Sequence, residues 1–178
     1  MRNSKVKGFT LVELIVVIAI IGILAAILVP SMLGYVRNAR ISSANSGAKQ
    51  VHTACASAIT QLGISNWDFT LAAGTEGYIE IKGGTAVANV TSNGALPAQG
   101  IDLGSYLGDE FTDYGIAVFT PTTYAVTNAG YCTTSGIYTS KIGNLKTKAA
   151  FDAITEAAQK SDAKAGVIYG IYPAPKVS

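Results

Sequence analysis

The chain has 178 residues, 49% of them apolar and only 13% charged, with a formal net charge of +2. Soluble domains usually carry about a quarter charged residues, so this composition points to a segment built for non-aqueous surroundings. Three of the thirteen basic residues, Arg2, Lys5 and Lys7, lie in the first eight positions, leaving ten basic against eleven acidic residues in the rest of the chain. That balance gives no support to nucleic-acid binding.

The first element follows the basic stretch Met1–Gly8. Phe9 to Val29 is an apolar run whose only charged residue is Glu13; as a helix it measures about 31 Å, enough to cross a bilayer core of roughly 30 Å. Secretory signal peptides have shorter apolar cores that end in a small-residue cleavage site, whereas Leu28-Val29-Pro30-Ser31 follows here. A charge near the bilayer centre costs roughly 2.5–3.5 kcal/mol even on lenient insertion scales. Once the basic stretch is set aside, no cation lies near Glu13 in the sequence, which makes it a functional candidate.

The pattern Gly8-Phe9-Thr10-Leu11-Val12-Glu13, with its basic leader and long apolar helix closed by Ile27-Leu28-Val29-Pro30, resembles the class III signal of type IV pilins and pseudopilins. The resemblance covers about the first forty residues. It implies that a membrane prepilin peptidase cleaves between Gly8 and Phe9, that the new Phe9 amine is N-methylated, and that the product assembles into a helical filament. It also implies that Glu13 neutralises the terminal amine of a neighbouring copy, so that the missing cation arrives with the next subunit.

Beyond Pro30, apolar and small residues from Leu33 through Ala44, Ala48, Val51, Cys55, Ala58 and Leu62 recur at three- and four-residue spacing, the stripe of an amphipathic helix. The spacing predicts one helix from Phe9 to Leu62, with a modest kink at Pro30 and a stop at Gly63. A hairpin is predicted for Tyr78–Lys82 and Thr85–Val90 around Gly83-Gly84, and a second strand pair for Gly115–Phe119 and Thr123–Thr127. A short strand is predicted at Ile137–Thr139, a second helix over Lys148–Lys164 and a last strand over Val167–Tyr172. The fold class is therefore α+β: a long N-terminal helix, transmembrane in its first half, packed on an antiparallel sheet, with an extra C-terminal helix and strand. The domains are residues 1–8 as leader, 9–30 as transmembrane or filament-core helix, and 31–178 as the head.

The search for chemistry is mostly negative. His52 is the only histidine and falls within the first helix, and neither a phosphate-binding loop nor a dinucleotide fingerprint is present; the reading is non-enzymatic, with no cofactor and no catalytic residue. Cys55 and Cys132 are the only cysteines. Two readings stand for them: a disulfide from helix to sheet, or two small buried side chains. Asp109, Glu110 and Asp113 are the candidates for a metal site, since calcium takes several oxygen ligands, against the reading of an ordinary solvated turn. Trp67, Tyr106 and Tyr131 are the candidates for stacking on sugar rings.

The resemblance implies a structural subunit of a type IV pilus, held in the cytoplasmic membrane by a single span before assembly and then exposed at the cell surface for adhesion or motility. Its partners are copies of itself, the membrane, the prepilin peptidase and the assembly machinery, and an insoluble polysaccharide or host surface. Nucleic acid is not a partner of this chain alone. The alternatives are a pseudopilin of a type II secretion or DNA-uptake system, and a membrane-tethered polysaccharide-binding adhesin that never polymerises.

Overall fold

The computed structural model describes residues 8–64, 76–83, 85–90, 103–108, 111–120, 123 and 125–175. The chain divides into two compact units, Met1–Arg37 and Asn38–Ser178. The first helix, α1, spans Leu11–Ile64 and contains Pro30; its 54 residues match the predicted length, and its bounds lie two residues later at each end. The helix is unbroken at Pro30, and the Ser31 hydroxyl donates to the Leu28 carbonyl at 2.9 Å.

In the first unit, the large apolar side chains of α1 up to Val36 are all exposed. In the second unit the same helix turns one face inward. Ile41, Ala44, Ala48, Val51, Cys55, Ala58 and Ile59 are buried, the three- and four-residue spacing that puts side chains on one helical face. Most are small, so the helix axis can lie close to the sheet.

The sheet has five strands in the order β2-β1-β3-β4-β5, and every neighbouring pair is antiparallel. β1 (Gly77–Lys82) and β2 (Thr85–Val90) form the predicted hairpin. Lys82 pairs with Thr85, which leaves a two-residue turn in which Gly83 adopts a φ of 57°, a conformation that glycine takes without steric cost. β3 (Tyr114–Thr120) and β4 (Ala125–Cys132) form the second pair, with β4 running five residues past the predicted end at Thr127. β5 (Gly170–Tyr172) joins the edge of β4.

Side chains alternate across the sheet, and two cores result. On one face Val51, Cys55, Ala58 and Ile59 of α1 pack with Ile79, Ile81, Ala117, Phe119 and Ala129. On the other, Ile116, Val118 and Cys132 pack with Tyr138, Ile142, Leu145, Phe151, Tyr169 and Ile171. Glu80 lies on this outer face. It is nearly buried and paired with Lys82 at 3.2 Å, and Lys146 stands 3.9 Å away.

Three predicted elements are corrected. Ile137–Thr139 is not a strand but the middle of a short helix, α3 (Ser135–Ser140). Its β-prone residues are overridden by burial at helical spacing, since Tyr138 and Ile142, one turn apart, both enter the outer core; Ile142–Asn144 itself forms a 3-10 turn. The predicted helix over Lys148–Lys164 is two helices, α4 (Lys148–Asp152) and α5 (Glu156–Lys164). Thr147 and Thr155 each accept a backbone N–H three residues on, from Ala150 and Ala158, so each helix carries its own N-cap. The last strand begins at Gly170 rather than Val167. A further short helix, α2 (Gly104–Leu107), was not predicted. Tyr124 and Gly84 lie outside the described residues.

α5 and β5 are tied to α1 by a polar contact. Asn45 Oδ1 accepts the Ile171 N–H at 2.9 Å and a Gln159 Nε2 hydrogen at 2.9 Å, and Gln159 Nε2 also donates to the Tyr169 carbonyl at 2.8 Å. Gln159 is only 1% exposed. The backbones meet beside it: a Cβ on Gly170 would lie 1.8 Å from the Ala44 carbonyl oxygen.

Candidate functional site

The candidate site is the start of α1 in the first unit. Gly8 and Phe9 precede the helix and are exposed, and a side chain at Gly8 would meet no atom within 4 Å. Fold packing therefore places no demand for glycine there, so a requirement for it would have to come from what reads the segment. Phe9 is 80% exposed.

Glu13 is not without a partner inside its own chain. Its Oε2 accepts the Thr10 backbone N–H at 2.9 Å and the Thr10 hydroxyl at 2.7 Å, and the Glu13 N–H donates back to the Thr10 hydroxyl oxygen at 3.3 Å. This is a capping box: Thr10 caps the helix start, and the acid three residues on satisfies a backbone donor that the helix leaves open. A carboxylate in the first turn also faces the positive end of the helix dipole. The role of Thr10 was missed in the sequence, although Thr-x-x-Glu ahead of an apolar run is the signature of such a cap. Both Thr10 bonds fall on one oxygen, and the first turn thereby fixes the carboxylate beside the Phe9–Thr10 backbone.

The other candidates lie in the second unit and do not converge on one place. Both cysteines are free. Cys55 belongs to the helix-side core and Cys132 to the core of the opposite sheet face, so the sheet lies between them, an arrangement that fits the second of the two readings, two small buried side chains. Burial pushes the Cys55 thiol up to about 12. Burial is also the main cause that raises Cys132, to about 11. Thiols held protonated in this way are poor nucleophiles.

Among the acids, Asp113 accepts a hydrogen bond from the Tyr131 hydroxyl, while Asp109 and Glu110 lie outside the described residues. Among the described residues no group of three or more His, Cys, Asp or Glu side chains is placed to hold a metal ion. Of the aromatic candidates, Trp67 lies outside the described residues, and Tyr106 is 40% exposed with its hydroxyl on Gln61. Tyr131 is not a free-standing ring. It is half-buried, lies against Gly47 of α1 so closely that a Cβ there would sit 2.7 Å from it, and approaches Phe111 at 6.3 Å. Burial, ahead of the Asp113 contact, raises its phenol above the usual range. His52, half-buried, has Nε2 3.0 Å from the Val126 carbonyl oxygen and its ring against Tyr172.

Comparison with known proteins bears on the N-terminal segment. A family profile described as the prokaryotic N-terminal methylation motif matches residues 3–29. The chain is 37% identical over 98 residues to the type IV major fimbrial protein FimA of Dichelobacter nodosus, covering 55% of this chain and 61% of that one. It is 36% identical over 100 residues to a fimbrial protein of Neisseria meningitidis serogroup B, covering 54% and 56%. With the type IV major pilin protein PilE1 of Neisseria gonorrhoeae it shares 37% identity over 98 residues, covering 54% and 45%. The chain thus spans about half the length of the curated relatives it matches. No solved structure matches. An exposed apolar helix with a capped acid in its first turn, followed by an α+β unit, defines the class of the molecule. The methylation motif and these relatives support a more specific assignment, to the type IV pilin family.

Proposed function

We propose that the chain is a structural subunit of a type IV pilus, cleaved between Gly8 and Phe9, N-methylated at Phe9, held in the cytoplasmic membrane by residues 9–30, and assembled into a surface filament that carries residues 31–178 as the head. One observation carries this reading: a helix whose large apolar side chains are exposed from Leu11 to Val36, within a segment that matches the N-terminal methylation motif. An apolar surface of that length needs lipid or other copies of itself around it. A bilayer can cover it before assembly, and neighbouring helices after. Its length and composition suit a membrane span.

In the proposed filament, Glu13 faces the Phe9 amine of an adjacent copy. Removing both charges from water offsets much of their attraction, so such a pair sets register more than it adds stability. The prepilin peptidase and the assembly machinery are the partners this route requires. The names of the relatives favour a pilus subunit over a pseudopilin or a non-polymerising adhesin.

The test is the N-terminus of the mature protein together with the state of the shed surface material. Mass spectrometry should find a chain that begins with methylated Phe9, and electron microscopy should find continuous fibres labelled by antibody to residues 63–178. Gly8→Val should leave the leader attached. A mature chain that starts elsewhere, or the absence of labelled fibres, overturns the reading.

A further inference from the structure

The exposed apolar surface of α1 in the first unit runs further than the span of residues 9–30 requires. Between Glu13 and Arg37 the chain has no charged residue, and its large apolar side chains are exposed from Leu14 to Val36. Glu13 and Arg37 stand 24 residues apart, about 36 Å along a helix. At the usual tilt of about 20° the separation across a membrane is still about 34 Å. The hydrocarbon core is roughly 30 Å thick. A span centred on Ala25 therefore leaves both charged residues outside the hydrocarbon, one on each side.

A span of residues 9–30 instead places Glu13 about 6 Å inside the hydrocarbon, where a charge is costly. Moving the helix outward by about five residues takes the carboxylate out of the oil. The move gives up Phe9, Leu11 and Val12 to the inner headgroup layer and brings in Met32 and Leu33, which are exposed and apolar. Two polar side chains come with them. The Ser31 hydroxyl already donates to the Leu28 carbonyl at 2.9 Å. Tyr35 is 76% exposed and falls at the outer boundary, the layer in which tyrosine is enriched.

Arg37 marks the outer end. It is partly exposed, and among the described residues no carboxylate pairs with it. Its guanidinium fork matches the geometry of phosphate oxygens, and its stem can lie along apolar surface while the charged head reaches the polar layer. We propose that before assembly Arg37 binds the phosphodiester groups of outer-layer phospholipids and that this contact sets the depth of α1, with Glu13 held hydrated in the inner headgroup layer. The proposal rests on the membrane anchoring given above and fixes which residues the hydrocarbon covers, Ile15 to Tyr35 in place of 9–30. The basic leader puts the Glu13 end on the cytoplasmic side. The acid thus waits in water until a neighbouring amine replaces it.

The experiment uses the isotope-labelled full chain in nanodiscs of phosphatidylethanolamine and phosphatidylglycerol. Amide broadening by a water-soluble gadolinium chelate should be least near Ala25, and a headgroup nitroxide should broaden the Glu13 and Arg37 amides alike. Carbon–phosphorus dipolar dephasing should connect the arginine guanidinium carbons to lipid phosphorus. It should fall in Arg37→Ala and stay unchanged in Lys49→Ala, a substitution in the second unit. A protected segment centred near Ala19 and Ile20, or equal dephasing in wild type and Arg37→Ala, overturns the proposal and leaves the membrane anchoring standing. The absence of any protected segment in α1 overturns both.

Discussion

Asn45→Ala tests whether the polar tie holds the C-terminal segment to the long helix. The substitution removes one acceptor that serves two donors, the Ile171 N–H and a Gln159 Nε2 hydrogen. A buried donor left without a partner costs about 1–3 kcal/mol. Gln159 is almost wholly enclosed, but the cavity beside Asn45 lets water reach part of the vacated space. The expected loss is therefore about 2–4 kcal/mol, a large share of the roughly 5–15 kcal/mol that holds a domain folded. The assay is urea unfolding of the full chain in micelles, followed by near-ultraviolet circular dichroism from the tyrosines. Ser46→Ala, at a neighbouring exposed position whose hydroxyl donates to the Ser42 carbonyl within the helix, serves as the control. If Asn45→Ala shifts the midpoint no more than Ser46→Ala does, the tie contributes nothing and the reasoning fails.

Three further outcomes follow from the same geometry. Gly170→Ala places a methyl group 1.8 Å from the Ala44 backbone oxygen, a contact that neither backbone can relieve without parting, so β5 should detach and the region from α5 onward should become protease-sensitive; resistance equal to wild type refutes the close approach. Alkylation without reductant should add no label to the folded chain and two after denaturation, because both thiols are free and buried; no label after denaturation would point to a bridge. The Cys55 thiol is raised in the folded state to about 12 from an ordinary value of 9.0, so above pH 9 the unfolded chain gives up its proton first, and stability from this group falls by about 1.4 kcal/mol per pH unit up to about pH 12. Cys55→Ala should flatten that part of the alkaline decline, and an unchanged slope would remove the thiol from the account.

The sequence carried the long elements better than the short ones, for a physical reason. Ile41 to Ile59 repeat a helical stripe over many turns, and Gly83-Gly84 sits between two β-prone runs, so pattern and turn chemistry agree. Ile137-Tyr138-Thr139 is too short for periodicity to outweigh propensity, and its helix exists because Tyr138 and Ile142 share one buried face. The break between α4 and α5 depends on the Thr155 hydroxyl reaching the Ala158 N–H, a signal present in the sequence but masked by the continuing spacing of Phe151 and Ile154. The fate of the cysteines was illegible because it depends on which sheet face each occupies. Cys132 pairs with Tyr114 across the sheet, and that register places it away from α1. The Asn45–Gln159 contact joins residues 114 positions apart, and no local pattern announces it.

The same limit applies to Glu13, where the sequence showed an acid without a counter-charge and the structure adds a local use for it. Two contributions are thus combined in one side chain, and they separate by substitution. Glu13→Gln keeps a residue that can complete a capping box but carries no charge, whereas Glu13→Ala removes both the box and the charge. Thr10→Val does the reverse: it deletes the hydroxyl from the box and leaves the carboxylate, with its bond from the Thr10 backbone N–H, in place. If charge pairing with a neighbouring amine governs assembly, both Glu13 variants should fail to form filaments while Thr10→Val forms them with a first turn that exchanges its amide hydrogens faster. If the helix start governs assembly, Glu13→Gln should assemble and Thr10→Val should be impaired. Filament yield by electron microscopy, read beside intact mass to confirm that Gly8–Phe9 cleavage still occurs, distinguishes the two. Normal filaments from Glu13→Gln would refute the pairing role, because an uncharged amide cannot neutralise an ammonium group.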